Sequence, residues 1–146
     1  MEQAEGSIVI EAPLEDVIEV IEDYEAYPEW AEVTSAVVRV RGDGDRPIEV
    51  AFEVDVPVVG KASYTLSYVY APGDTAMSWT TKEASGAIRE IRGEYLLGEL
   101  DVDTTKVTYR LGVELGPLVP GFLRTEGQKR VIENALERLK RRVEMG

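Results

Sequence analysis

The chain contains no cysteine and no histidine among its 146 residues. Without cysteine there are no disulfides, no thiolate metal sites and no thiol nucleophile, and the composition suits a reducing cytoplasm. Without histidine the usual general base near neutral pH is missing, and a Ser-His-Asp triad cannot be assembled. A zinc site would have to be built from carboxylates alone, so no metal and no other cofactor is expected. No apolar run approaches the roughly eighteen residues of a membrane span, and the acidic, polar N-terminus has neither a basic region nor an apolar stretch of a signal peptide. Gly42-Asp43-Gly44 lacks the helix and lysine that a phosphate-binding loop needs.

Basic charge is also scarce. The net charge is −12, which repels nucleic acid and anionic membrane surfaces. Residues 1–38 carry eleven carboxylates and no Lys or Arg. The end of the chain reverses this, with Arg124, Lys129, Arg130, Arg138, Lys140, Arg141 and Arg142 set against Glu126, Glu133, Glu137 and Glu144. The terminal cluster reads first as complementarity to a helix C-terminal dipole.

What is present is a soluble composition, 44% hydrophobic and 30% charged, long enough for one domain with a sizeable core, residues 1–146. Ser7 to Glu11 reads as a first strand. Pro13 starts a helix, with Glu15 and Asp16 in its first turn and Val17, Ile18, Val20 and Ile21 as its stripe. Tyr24 to Ala31 reads as a second short helical segment broken at Pro28. From Val33 the period is two. Ala36, Val38 and Val40 share a face, followed by Ile48, Val50, Phe52 and Val54, then Ala62, Tyr64, Leu66, Tyr68 and Tyr70. Met77, Trp79 and Thr81 continue the pattern, then Ile91, Tyr95 and Leu97, then Val107 to Leu115. Turns fall at Gly42–Asp45, Pro57–Gly60, Pro72–Asp74 and Asp101–Asp103. From about Pro120 to Val143 the period returns to 3.6, with Val131, Ile132, Ala135, Leu136, Leu139 and Val143 as the stripe.

Six consecutive strands joined by short turns form an antiparallel meander that curls with its twist, and the first strand can extend it by pairing with the last. One long helix must cover the apolar face, and a space opens where helix and curved sheet diverge. The large side chains of inward parity are the cavity candidates: Trp30, Phe52, Tyr64, Tyr68, Trp79, Tyr95, Tyr109 and Phe122. Trp and Tyr join apolar area to a polar tip, which suits a pocket with a few orienting groups. Counting by two from Tyr95 through Gly93 and Ile91 brings Arg89 inward as a candidate polar anchor, whereas a bulge near Gly93 would send it outward, and Gly86 with the strand end favours solvent exposure. Glu53, Asp55 and Glu83 read as solvated.

Ile10-Glu11-Ala12-Pro13, Val17, Val20-Ile21, Asp23 and Tyr27-Pro28-Glu29-Trp30 together resemble the opening of the SRPBCC (START-like, Bet v 1-like) superfamily. Val119-Pro120-Gly121-Phe122-Leu123 with Ala135 to Lys140 is similar to its bacterial polyketide cyclase/dehydrase-like branch. The resemblance implies an α+β helix-grip fold, a curved seven-stranded antiparallel sheet wrapped around a long C-terminal helix with two short helices after the first strand. It also implies a hydrophobic cavity that takes a lipid, polyketide, quinone or similar small molecule. The leading expectation is therefore binding or transport of such a ligand by a cytoplasmic protein, with no nucleic acid and no membrane insertion, as monomer or dimer. A cyclase or dehydratase working with Tyr, Arg and carboxylate groups is the alternative, with its catalytic residues unassigned. A third reading is a protein-interaction module with a closed core.

Overall fold

A computed structural model describes residues 3–56, 60–117 and 122–146, the side chains of 122–126 excepted. Strand β1 (Gln3–Ile10) leads to helix α1 (Leu14–Glu22) and a 3-10 segment (Tyr24–Glu29). Strands β2 (Ser35–Arg41), β3 (Pro47–Val56), β4 (Gly60–Tyr70), β5 (Ala76–Gly86), β6 (Ile88–Asp101) and β7 (Thr104–Leu115) come next, then helix α2 (Phe122–Glu144). The strands form one seven-stranded antiparallel sheet in the order β1-β7-β6-β5-β4-β3-β2. Helix α2 packs on β1 and β7 at one end, and the 3-10 segment packs on β2 at the other. This is the helix-grip arrangement expected from the sequence. The expected turn at Pro57–Gly60 falls, apart from Gly60, outside the described residues, as do Val119, Pro120, Gly121 and the Phe122 side chain.

Local chemistry explains each end of α1. Pro13 sits in extended geometry just ahead of the helix, where its missing N–H loses nothing, and Glu15 and Asp16 face the positive end of the helix dipole. Val17 and Ile21 turn into the core. The next segment does not break at Pro28, as the sequence suggested. It runs through to Glu29 as a 3-10 helix. One N–H is lost at Pro28, but the Tyr27 carbonyl accepts from both Trp30 (3.0 Å) and Ala31 (2.7 Å) and closes the turn beyond it.

The two-residue period holds along most of β3 to β7, with ladder shifts in β5 and β6, and fails at one edge. Val40, expected to share a face with Ala36 and Val38, is 41% exposed. The ladder shifts between Val38 and Val40, where one extra residue turns Val40 outward, and shifts back between Val40 and Arg41. On the inner face, register sets large rings directly opposite one another: Phe52 against Tyr64, Tyr68 against Trp79, and Tyr95 against Tyr109. Thr105, fully buried, donates its hydroxyl to the Ala12 carbonyl (2.9 Å) and ties β7 to the turn before α1.

Two glycines give this packing its clearances. Gly6 lies where α2 meets β1, and a Cβ there would stand 2.8 Å from Ile132. Gly93 lies opposite Trp79, and a Cβ there would stand 2.6 Å from both the indole and the Arg110 carbonyl. Overpacking of this kind costs about 1–3 kcal/mol. Gly93→Ala is therefore expected to lower the thermal midpoint by several degrees, at about 2–4 °C per kcal/mol. Gly98→Ala, whose nearest neighbour would be the Lys106 carbonyl at 4.0 Å, is expected to leave it unchanged or slightly raised. Thermal unfolding by circular dichroism checks both.

Candidate functional site on the aromatic inner face

The aromatic candidates with described side chains form one connected array. Trp30 packs edge-on against Tyr27 (4.9 Å between centroids), Tyr27 meets Tyr24 (5.3 Å) and Phe52 (6.1 Å), and Phe52 meets Tyr64 (5.5 Å). From Tyr24 the array continues to Tyr68 (4.7 Å), then to Trp79 (5.9 Å) and on to Tyr95 (5.2 Å) and Tyr109 (5.7 Å). Tyr95 and Tyr109 close it at 4.8 Å. Tilted and edge-on pairs at these spacings are the favoured ring geometries. The array thus runs from the 3-10 segment across β3, β4, β5, β6 and β7.

The seven tyrosines divide into two groups by what their hydroxyls touch. Tyr27 donates to the Ile21 carbonyl. Tyr70 donates to the Pro47 carbonyl (2.6 Å), and Tyr24 donates to the Tyr70 oxygen (2.9 Å). The Tyr24–Tyr70 bond ties the cover, α1 with the 3-10 segment, to the sheet, while Tyr27 braces the 3-10 segment against α1 and Tyr70 joins β4 to β3. The hydroxyls of Tyr64, Tyr68, Tyr95 and Tyr109 have no hydrogen-bond partner among the described residues. Yet among those residues no side-chain oxygen or nitrogen is both sealed and unpartnered. Each of the four hydroxyls therefore keeps some accessible surface.

Burial shapes the chemistry of these phenols. It pushes the Tyr64 and Tyr95 hydroxyls up, and pushes Tyr68 and Tyr109 up further with help from neighbouring tyrosines. Burial likewise raises Tyr24 and Tyr27. Tyr70 is pushed up to about 12 by burial, against the opposing hydrogen bond from Tyr24. Among the described residues the buried polar groups are Thr65 and Thr105, and neither carries charge. The inner face is therefore neutral, apolar and edged with hydroxyl donors and acceptors.

Charge acts on the outside of the cover. Arg138 donates to the Trp30 carbonyl (3.3 Å) and pairs with Glu32 (3.2 Å), while Arg142 pairs with Glu29 (3.1 Å). These pairs are exposed and individually weak, but they join the end of α2 to the segment that carries Trp30. On the other side, Arg46 grips Glu22 at 2.9 and 2.6 Å, reaches Asp74 at 2.8 Å and stacks over the Tyr70 ring at 3.7 Å. The basic cluster of α2, read from sequence as dipole complementarity, thus also holds the cover. The carboxylate-rich, Lys- and Arg-free first part of the chain was the available signal for such a match.

The structure separates Arg89 from this array. Arg89 is exposed, and the β6–β7 ladder shifts between Ile88, opposite Leu115, and Glu90, opposite Glu114. The extra residue turns its side chain outward, which corrects the inward placement obtained by counting from Tyr95. Trp30 is partly buried, at the junction of cover and array. Tyr24 and Tyr27, which sequence reading placed on the cover and left out of the cavity set, supply the links between Trp30, Phe52 and Tyr68.

A family model described as polyketide cyclase / dehydrase and lipid transport matches residues 1–144. No curated protein matches. Among solved structures, a START superfamily protein from Mycobacterium smegmatis is 20% identical, covering 98% of this chain and 97% of its own, with a TM-score of 0.87. The Zhui aromatase/cyclase from Streptomyces sp. R1128 is 16% identical over 98% of this chain and 93% of its own, with a TM-score of 0.75. A STAR-related lipid transfer protein fragment from Xanthomonas axonopodis is 21% identical over 97% of this chain and 85% of its own, also at 0.75. At these identities the likeness establishes the fold.

The tyrosines generate a pH prediction. Raised values in the folded state mean that the stability they contribute is complete below the unfolded tyrosine value of about 10 and is lost as pH rises above it. Phenolate absorbance at 295 nm is expected to stay flat through pH 10 in the folded protein, then to appear together with loss of circular dichroism. Ionisation of Tyr64, Tyr95 or Tyr109 near pH 10 in a folded chain would contradict the enclosed array.

Proposed function

The chain belongs to the polyketide cyclase/dehydrase and lipid transport family, and on that premise we propose that it binds a hydrophobic or amphipathic small molecule between the inner face of the sheet and α2. The observation that carries this reading is the set of four tyrosine hydroxyls, Tyr64, Tyr68, Tyr95 and Tyr109, that keep some accessible surface and have no described protein partner. Ring faces supply apolar contact, worth about 25 cal/mol per Å² of buried area before ordering costs. The hydroxyls then orient oxygens of the ligand. A neutral lining favours an uncharged ligand, because a carboxylate or phosphate would be desolvated with no countercharge beside it. A lipid, quinone or polyketide with its oxygens along an apolar frame fits. A one-domain, cytoplasmic, bacterial carrier is part of the same reading.

Binding is favoured over cyclisation because the described buried lining holds phenols and no carboxylate or histidine base. Phenols whose values are raised by burial remain neutral at pH 7 and are poor bases. They can hold a substrate in a folded shape, which keeps a cyclase in which the substrate's own geometry does most of the work as the second reading. The solved aromatase/cyclase of the same fold is the observation that supports it. A closed interaction module is disfavoured by the accessible hydroxyls.

Native mass spectrometry of freshly purified protein, with organic extraction of any molecule that accompanies it, tests the proposal. A stoichiometric hydrophobic adduct is expected. Tyr95→Phe with Tyr109→Phe, which removes two hydroxyls and keeps both rings, is expected to weaken retention about thirtyfold, at about 1 kcal/mol per hydrogen bond. A bare mass, together with no shift in thermal midpoint from a panel of lipids, quinones and polyketides, would overturn the reading.

A further inference from the structure

The outer side of the cover carries a feature that the inner face does not use. A cleft of about 280 Å³ opens between α1, the 3-10 segment and the C-terminal end of α2. Its apolar lining comes from Val20, Ala26, Trp30 and Val143, and Trp30 is only partly buried. Asp16, Glu19 and Asp23 also line it. They lie along one face of α1 and run into the residue after it, spanning about 10 Å at 1.5 Å per residue.

The state of the carboxylates around this cleft says what it would take. Glu22 is held by Arg46, Glu25 accepts from the Val38 N–H, Glu29 pairs with Arg142 and Glu32 pairs with Arg138. Asp16, Glu19 and Asp23 form no ion pair and no side-chain hydrogen bond with any described residue. Glu22, Glu25, Glu29 and Glu32 of this part of the chain are thus matched, whereas Glu15 and the three carboxylates at the cleft are not. The cation that lines the cleft, Arg142, is already engaged with Glu29.

We propose that this cleft docks a lysine- or arginine-rich amphipathic segment of a partner protein, with an apolar side chain against Trp30 and basic side chains along Asp16, Glu19 and Asp23. Charge complementarity chooses the occupant. An anionic bilayer is repelled by the same carboxylates, and a second copy of this chain, at −12, is repelled overall, with Arg138, Lys140 and Arg142 of its basic helix already paired with Glu32, Glu144 and Glu29. The cleft is at the lower limit of small-molecule pockets, which start near roughly 300 Å³. It takes one or two side chains, while the row of carboxylates extends the contact along the segment. Such docking presses on the ring that joins the outer cleft to Tyr27 and, through it, Phe52. The proposal is independent of what the inner face binds.

The test is a nuclear magnetic resonance titration of the nitrogen-15-labelled full chain with a synthetic amphipathic peptide of leucine and lysine. The Trp30 indole and the Val20 and Ala26 amides are expected to shift saturably, with the Trp79 indole unmoved. Asp16→Asn with Glu19→Gln and Asp23→Asn is expected to weaken binding about tenfold. Glu83→Gln with Glu99→Gln and Glu133→Gln removes the same charge from exposed positions outside the cleft and is expected to change it less than about twofold. Equal weakening by both triple variants, or shifts that leave Trp30 out, would overturn the proposal. Spermidine reproducing the Trp30 shifts at the same concentration would overturn the partner-protein assignment.

Discussion

The interior of this protein depends on the absence of a side chain at Gly93. With nothing above its Cα, the Trp79 indole lies directly across from it, where a Cβ would stand at 2.6 Å. That clearance lets one indole touch Tyr68 on one side and Tyr95 and Tyr109 on the other, and so joins the aromatic residues of β4 to those of β6 and β7. Gly6 plays the matching part for α2, which closes on β1 there. Between these two close approaches lies the inner face, with Tyr24 and Tyr27 of the 3-10 segment against Tyr68 and Phe52 and with α2 against β1 and β7.

Two kinds of polarity are kept apart around that face. Inside, the phenols are neutral: Tyr24 ties the cover to Tyr70 on the sheet, Tyr27 ties the 3-10 segment to α1, and the hydroxyls of the other four have no described partner. Outside, full charges do the fastening, with Arg138 and Arg142 from α2 and Arg46 from the β2–β3 turn gripping carboxylates of the cover. This division is a consequence of solvation. A charge inside would need a partner in a low-dielectric setting, whereas weak exposed pairs at the rim can open without unfolding the core. Trp30 stands at the boundary, in contact with both the array and the outer cleft.

Much of the fold was legible because its signals are local and periodic. Alternation along Ile48 to Val54 and Val107 to Leu115 marked strands and their faces, and the stripe through Ile132, Leu136 and Leu139 marked the covering helix. Pro13 marked the start of α1. The candidate rings on the sheet were found by the same parity, which places Phe52, Tyr64, Tyr68, Trp79, Tyr95 and Tyr109 in one connected array on the inner face. What parity could not give was set by single-residue irregularities: the bulge that exposes Arg89 and the one that exposes Val40 each depend on pairing with another strand. The grip of Arg138 and Arg142 on the cover joins residues more than a hundred positions apart, so no window of sequence contains it.

The central claim is that accessible space borders the hydroxyls of Tyr64, Tyr68, Tyr95 and Tyr109. Fluorine resonances of protein labelled with 3-fluorotyrosine, recorded with and without dissolved xenon under pressure, test it directly, since xenon enters apolar cavities and leaves packed cores alone. The account predicts saturable shifts at these four tyrosines and none at Tyr70, whose hydroxyl is bonded to the Pro47 carbonyl. Unchanged resonances at all four would show an interior packed solid and would contradict it.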